Sequence, residues 1–328
     1  MNRHRSLGRK DRSKGFTLIE LIVAMSIIAL VLAILIPAVL TARESQRRIV
    51  CSSRLSSLGQ ALHGHEASFA YFPSALKSQS ENPKSSSLHY SAHIYLLPYL
   101  DQASVYSTIQ FDLPYGDYLE SQDYAGNPAR NSTAKLARLP AFICPSDPAN
   151  VKEYPGNNYR LNVGSQPSSI QSVLTPHGGH GAFASLENFR PTDFRDGLSS
   201  TIAMSERTIG SGQSGRFDRK KDYWDSGFNA LNPSPTSDEL VPVCSLGEAS
   251  IPSSSIYPYS GSFWFYSGFE TTLYNHANTP NSPNADCSSG PIRLPGTPGI
   301  VAARSFHSQG VNCLYMDGHA SFVGDSID

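Results

Sequence analysis

From Phe16 to Leu40 the chain runs twenty-five residues with a single charged side chain, Glu20. A helix of that length is about 37 Å long, enough to cross a bilayer with some tilt. The fifteen residues before it carry Arg3, Arg5, Arg9, Lys10, Arg12 and Lys14 against Asp11 alone, a net charge of +5. Such a flank stays on the cytoplasmic side, so the remainder is expected to be exported, with Arg43, Arg47 and Arg48 weakening the bias and Glu44 offsetting one of them. A cleaved secretory signal has a shorter apolar core of roughly 7–15 residues and a small-residue cleavage site, where this chain offers Leu40-Thr41-Ala42. A buried core helix fits poorly with so long an uncharged run behind a basic leader. The run therefore reads as one membrane span, and Glu20 is its anomaly. By itself, Glu20 has a bland explanation as an acid snorkelling to the cytoplasmic interface.

The stretch "KGFTLIELIVAMSIIALVLAILIPAVL" resembles the cleavage and methylation segment of type IV prepilins and type II secretion pseudopilins. The resemblance implies a leader ending at Gly15, cut by a membrane prepilin peptidase. The same enzyme would N-methylate the new first residue, Phe16. It also assigns the family's acid to Glu20 and its helix-bending proline to Pro37. Once Gly15 is cut, Phe16 gains an α-amino group, and Glu20 is expected to pair with that amine in its own chain or an adjoining subunit. An unpaired ionised side chain in lipid costs a few kcal/mol, roughly 3 on insertion scales, so such a pair would favour parallel helix packing in a filament.

The helical pattern continues beyond the span. Cys51, Leu55, Leu58, Leu62 and Phe69 fall at steps of four, three, four and seven, one apolar stripe. Gly64 and Tyr71-Phe72-Pro73 mark its expected end. His63 and His65, two apart, would lie on different faces and read as helix-surface residues.

Residues 73–328 are rich in Ser, Asn, Tyr, Pro and Gly. They suit a turn-rich, largely antiparallel β-rich domain behind the helical segment 16–72 and the leader 1–15, an α+β, pilin-like chain. The polar Ser74–Ser87 stretch reads as a loop, and Pro98 divides "YSAHIYLLPYLDQASVYSTI" into two short helical pieces. "RLPAFICPSDP" is a short apolar run closed by a Pro-rich turn, and "FRDGLSSTIAMSER", "GSFWFYSGF" and "FHSQGVNCLYMDGHASFVG" read as strands between long excursions. Asp317-Gly318 is a two-residue hairpin signal in which both residues take positive φ.

A second resemblance rests on His307, nine intervening residues, then Asp317-Gly318. This is the C-terminal signature of a large bacterial family of prepilin-like proteins of undefined function. "LGQALHGHEASFAYFPSA", "LLPYLDQASVY", "FICPSDP" and "DGLSSTIAMSER" resemble its internal blocks. Where that family commonly has a Tyr-His pair, this chain has His65-Glu66-Ala67. The family implies a pilin-like fold and no known reaction.

His307 and Asp317 do not read as a catalytic pair. Extended, their ends lie roughly 33 Å apart; a bend at Ser308-Gln309-Gly310 still leaves about 20 Å of strand. A proton relay needs contact near 3 Å, roughly one hydrogen bond. They read as structural points at opposite ends of one strand, and Asp196-Gly197 as another such turn.

Five cysteines, Cys51, Cys144, Cys244, Cys287 and Cys313, form no CxxC pair, which speaks against a zinc ribbon or a redox motif. In an exported body four paired and one free allow fifteen arrangements; Cys244 with Cys287 would close a loop around "SGSFWFYSG". No metal site is assigned. The His177–Gly181 loop lacks a full ligand set. Asp222, Asp225, Asp286 and Asp317 would be the oxygen ligands if Ca²⁺ bound, without the spacing of a dedicated loop. There is no GxSxG, Walker loop or HExxH, and a formal net charge of −1 gives no sign of a nucleic-acid partner.

The chain is thus expected to be a non-enzymatic prepilin-like subunit of the inner membrane. Its leader would be cytoplasmic and its body periplasmic or on an external filament, with prepilin peptidase and other pilin-like subunits as partners. The rival expectation is a membrane-tethered binder of glycan or surface polymer, stacking sugars on Trp224, Trp264, Tyr257 and Tyr259. A tethered hydrolase ranks last because no nucleophile–base pair can be located.

Overall fold

The computed structural model describes residues 17–77, 90–111, 131–148, 154–167, 181–183, 188–228, 235–245, 247, 250–290 and 297–327. Gly15, Phe16 and the histidines of the His177–Gly181 loop lie outside the described residues.

Helix α1 spans Leu18–Phe69 without interruption, with Pro37 inside it. Proline there has no N–H for the carbonyl of Ala33, one turn back. Thr41 Oγ1 donates within the same stretch to the carbonyls of Ala38 (2.9 Å) and Pro37 (3.2 Å). The chain divides after Gln46 into two compact units. In the first, the apolar side chains are open on every face; Leu18, Ile22, Ile28, Leu35 and Leu40 are all exposed. It is the one helix, among the described residues, long and apolar enough to cross a membrane.

In the second unit α1 becomes amphipathic and buries Cys51, Leu55, Leu58, Gly59, Ala61, Leu62 and His65. Two members of the expected pattern change sides. Phe69 is exposed, because the helix ends there and Ala70 turns the chain with a positive φ of 64°. His65 is buried rather than on the surface. Four residues past Ala61 it falls on the buried stripe, and its Nδ1 donates to the carbonyl of Tyr71 at 3.0 Å.

Among the described residues two larger sheets form the body. The first is ordered β11-β10-β4-β3-β7, from β3 (Tyr159–Asn162), β4 (Ile202–Glu206), β7 (Leu273–Tyr274), β10 (Gly310–Tyr315) and β11 (Ala320–Gly324). Its pairs are antiparallel except β3 with β7. The second is ordered β6-β5-β8-β9, from β5 (Tyr223–Asp225), β6 (Ile256–Tyr257), β8 (Asp286–Ser288) and β9 (Gly299–Ile300), with β5 and β8 parallel. Leu76–Lys77 (β1) and Tyr90–Ser91 (β2) form a small antiparallel pair. Short helices α2 (Ala92–Leu96), α3 (Ala103–Ser107), α4 (Ser132–Lys135) and α5 (Ser237–Cys244) fill the connections. Pro98 sits at the start of a 3-10 turn between α2 and α3.

The short apolar run holds a 3-10 turn at Pro140–Phe142. One expected strand is irregular instead. "GSFWFYSGF" holds only a single bridge, Tyr266 to Tyr90. Its backbone is fixed by turns at Gly261, with φ +69°, and Gly268, where any Cβ would strike the Glu270 carboxylate at 2.4 Å. The buried Arg160 guanidinium donates to Phe269 O and Ser260 Oγ, both at 2.8 Å, replacing strand partners.

Among the described residues the core has two clusters. The larger joins α1 to the first sheet and to Phe72, Phe142, Trp264 and Tyr274; the smaller gathers Trp224, Leu240, Cys244, Ile251, Cys287 and Ile300. Each contains one disulfide. Cys51–Cys144 ties α1 to the turn after Phe142 across 93 residues. Cys244–Cys287 ties α5 to β8 across 43, and Cys313 is free and buried. In the chain-entropy account, closing loops of these lengths contributes about 4–5 kcal/mol each at most.

Candidate functional site: the start of the assembly helix and the His307 cluster

Thr17 and Glu20 build the beginning of α1. The Thr17 N–H and Oγ1 both donate to Glu20 Oε2 at 2.8 Å, and the Glu20 N–H donates to Thr17 Oγ1 at 3.4 Å. This is a reciprocal capping box, with Thr17 as N-cap and Glu20 three residues later. A carboxylate there also complements the positive end of the helix dipole. The pattern Thr-x-x-Glu was legible in the sequence, but the charge-pairing interpretation left it unread. Glu20 thus has a local task at Thr17, the residue next to Phe16, which is expected to carry the new amine.

At the other end of the chain, His307 is held by a tight bend. Ser305 Oγ accepts the His307 N–H at 3.1 Å and donates to Gly310 O at 2.6 Å. Gln309 has a positive φ of 68°, and Gly310 lies so close to the Val323 carbonyl that a Cβ would come within 2.2 Å. The bend turns His307 inward. Its Nε2 lies 3.3 Å from Glu206 Oε1 and 3.7 Å from Cys144 Sγ. Glu206 also accepts from the backbone N–H (2.8 Å) and side-chain Nδ2 (3.0 Å) of Asn312. One acid thereby joins β4, β10 and the bend.

Glu206 and Arg207 are consecutive in extended backbone, so their side chains leave on opposite sides. Arg207 Nη2 meets Asp286 Oδ2 at 2.8 Å. Arg304 adds Nη2 to Asp286 Oδ1 at 2.8 Å and Nε to Oδ2 at 3.1 Å. Burial pushes the Asp286 carboxyl up, but the Arg304 and Arg207 guanidiniums and their bonds outweigh it and hold it below the usual carboxylate range. Nearby, Glu270 is compensated too weakly. Burial dominates over its backbone bond and Arg160, and its pKa is pushed up to about 8. His93 is the converse case. Burial lowers it to about 4. Its Nε2 donates to Tyr159 O at 2.7 Å, so in the neutral ring Nδ1 accepts from Ser91 Oγ, also at 2.7 Å.

Asp317 belongs to a different place. Its Oδ1 accepts the His319 N–H at 3.1 Å and meets His319 Nδ1 at 2.6 Å, both side chains partly exposed. The turn differs from the expected two-residue form. Tyr315 pairs with His319 across three loop residues, with the Gly318 N–H donating to Tyr315 O. Gly318 has φ +91°, while Asp317 is not among the positive-φ residues. That is a type I turn followed by a left-handed glycine, the usual three-residue hairpin. Gly318 then lies against α1: a Cβ on Gly59 would come within 2.9 Å of Gly318 Cα. The Asp-Gly turn is therefore a docking point for the helix. Asp196 is exposed, and Gly197, with φ +85°, accepts from Ser200 N and Thr201 Oγ1 in the turn before β4.

The four candidate calcium carboxylates have separate commitments. Asp222 accepts from Ser211 and Asp218, Asp225 from the Gly227 N–H, Asp286 from two arginines and Asp317 from His319. The two guanidiniums on Asp286 already supply the positive charge a cation would bring. The aromatic residues expected to stack sugars form core instead: Trp264, Trp224 and Tyr257 are buried, and Tyr259 packs half-buried against Tyr257 and the larger cluster. A different aromatic set, Phe69, Tyr71, Tyr95, Tyr99 and Tyr106 with His65, lines an open cavity of about 420 Å³.

Sequence reasoning missed Glu206, Asn312, the Arg207–Asp286–Arg304 group and the Cys51–Cys144 bond. Their partners lie from 18 to 106 residues away, and no local period marks them. The visible signal was an adjacent acid and arginine closing an apolar strand at Ser205-Glu206-Arg207.

Residues 10–36 match the model of the prokaryotic N-terminal methylation motif. No curated protein and no solved structure matches the chain. Residues 41–328, the whole chain beyond its apolar segment, match the model described as Protein of unknown function (DUF1559). The chain is a prepilin-like member of that family.

Proposed function

We propose that this protein is a structural subunit, cut after Gly15 and N-methylated at Phe16 by a prepilin peptidase. It assembles through α1 with other pilin-like subunits into a pilus or a type II secretion-like pseudopilus. The observation that carries the reading is the methylation motif lying on a helix whose apolar surface is uncovered in its own chain. Such a surface needs lipid before assembly and neighbouring helices afterwards. The leader then stays in the cytoplasm and the body lies beyond the inner membrane, where two disulfides are at home. The body serves as a scaffold rather than a catalyst, since His307 faces a buried cluster and Asp317 a separate surface turn. The glycan-binding alternative loses its proposed stacking residues to the core.

The test is mass spectrometry of the protein from its native membrane, with crosslinking of neighbouring α1 helices. A methylated Phe16 terminus and α1–α1 crosslinks are expected. Retention of residues 1–15 would remove the processing, and a processed chain without crosslinks would remove the filament.

A further inference from the structure

The Cys51–Cys144 bond lies within a larger set of donors. One ligand atom each from Cys51, Cys144, Glu206 and His307 fall within 4.8 Å of one another, all four residues being buried. They come from α1, the turn after Phe142, the end of β4 and the bend before β10. Two thiols, an imidazole and a carboxylate are a zinc-type donor set. Around a tetrahedral zinc with Zn–S near 2.3 Å, two sulfurs stand about 3.8 Å apart and the other edges are shorter. Nε2 is already 3.7 Å from Cys144 Sγ and 3.3 Å from Glu206 Oε1. The sulfurs would part from bonding distance, starting from Cα atoms 5.1 Å apart.

The surroundings fit a closed site. Glu206 Oε2 is fixed by the Asn312 N–H and the Cys144 N–H by Asn158 Oδ1, at 2.8 and 2.9 Å. Tyr159 donates its hydroxyl to the Cys51 carbonyl at 3.3 Å. Such outer bonds hold ligands in orientation. The nearby Cys313 does not compete: its thiol donates to Ser205 Oγ, and burial pushes its pKa up to about 12.

We propose that this cluster is a second form of the same cross-link: in the dithiol state, Cys51, Cys144, His307 and Glu206 bind one Zn²⁺. The disulfide is first reduced by a dithiol, which takes its place as a disulfide; two electrons and two protons pass to Cys51 and Cys144. Zinc then replaces the two thiol protons, forming two Zn–S bonds, one Zn–N bond and one Zn–O bond. In either state α1 stays fastened to the body. The inference is independent of filament assembly.

The full chain in detergent, reduced with a phosphine and freed of it, is titrated with Co²⁺ as a spectroscopic probe and with Zn²⁺ for X-ray absorption. One metal per chain is expected, with thiolate-to-cobalt charge transfer, tetrahedral visible bands and two sulfurs plus two N/O ligands. The C244S/C287S chain keeps this signature, while H307Q and E206Q each weaken binding at least tenfold. The unreduced chain gives no thiolate band. The absence of a thiolate band in the reduced chain, whether it stays folded or not, overturns the site. So does a sulfur-bound metal that persists when C51S/C144S is combined with C244S/C287S. Because reduction and zinc are read on the unmutated chain, a variant that fails to fold leaves the decision intact.

Discussion

His307 Nε2 lies 3.3 Å from Glu206 Oε1 in the interior, 101 residues away in sequence, while Asp317 on the same hairpin is bonded to its own neighbour His319. The two ends of the C-terminal motif thus do separate mechanical work. His307 fastens a bend to β4, and Asp317-Gly318 makes a turn that α1 can approach.

His307→Ala should therefore destabilise the body by about 1–3 kcal/mol, the cost of leaving a buried polar partner unsatisfied. Asp317→Asn should cost less than about 1 kcal/mol, as for exposed pairs. Denaturant unfolding of both variants checks this. Equal losses would mean that the two residues act as one unit.

Glu20 has two possible tasks that one pair of variants separates. Gln at position 20 still accepts from Thr17 and keeps the cap, but cannot pair with an amine charge. Both Glu20→Gln and Glu20→Ala should leave membrane insertion intact and lower α1–α1 crosslinking. If Gln assembles normally and Ala does not, the cap rather than the charge is what assembly needs.

Glu270 makes stability fall with rising pH. Its folded pKa of about 8 lies above the ordinary 4.5, so between those values the folded state holds a proton that the unfolded state has released. Its contribution is full below pH 4.5 and is lost as pH rises toward 8. Glu270→Gln should flatten that part of the curve and gain stability at pH 8. His93 acts oppositely: its folded pKa near 4 against 6.5 means stability lost as pH falls through that window. Melting curves of the parent and Glu270→Gln from pH 5 to 8 isolate the first effect.

Arg304 holds Asp286 on two oxygens. Arg304→Met should cost about 1.5–3 kcal/mol near neutral pH, the range for hydrogen bonds to a charged group, because Asp286 keeps its Arg207 partner. Because Asp286 is held below its usual range, the parent's advantage should shrink as pH falls through that carboxyl's titration. A penalty that does not change with acid would remove the ionic account.

Cys51→Ser should lower stability by about 2–5 kcal/mol by opening the loop of 93 residues. Unfolding under oxidising conditions, compared with Cys313→Ser, separates the cross-link from simple loss of a buried thiol.

The long helix was legible because its evidence is local. Apolar residues without interruption mark the span, the recurrence of Cys51, Leu55, Leu58 and Leu62 marks the packed half, and Tyr71-Phe72-Pro73 stops it. A turn-rich β body was legible from composition, and the hairpin at Asp317-Gly318 from its dipeptide. Phe69 and His65 show where local periodicity ends: the helix terminus frees one, and the body encloses the other.

What the sequence determined by itself is whatever depends on neighbours within a few residues: an apolar helix, its cap, its stop and its turns. What the tertiary structure alone decided is the partners of the buried polar groups. Glu206 with His307, Asp286 with two arginines, Cys51 with Cys144 and Gly59 against Gly318 each join distant segments. Taking a charge or a thiol out of water requires a complementary group at the right distance. Only the folded chain sets that distance.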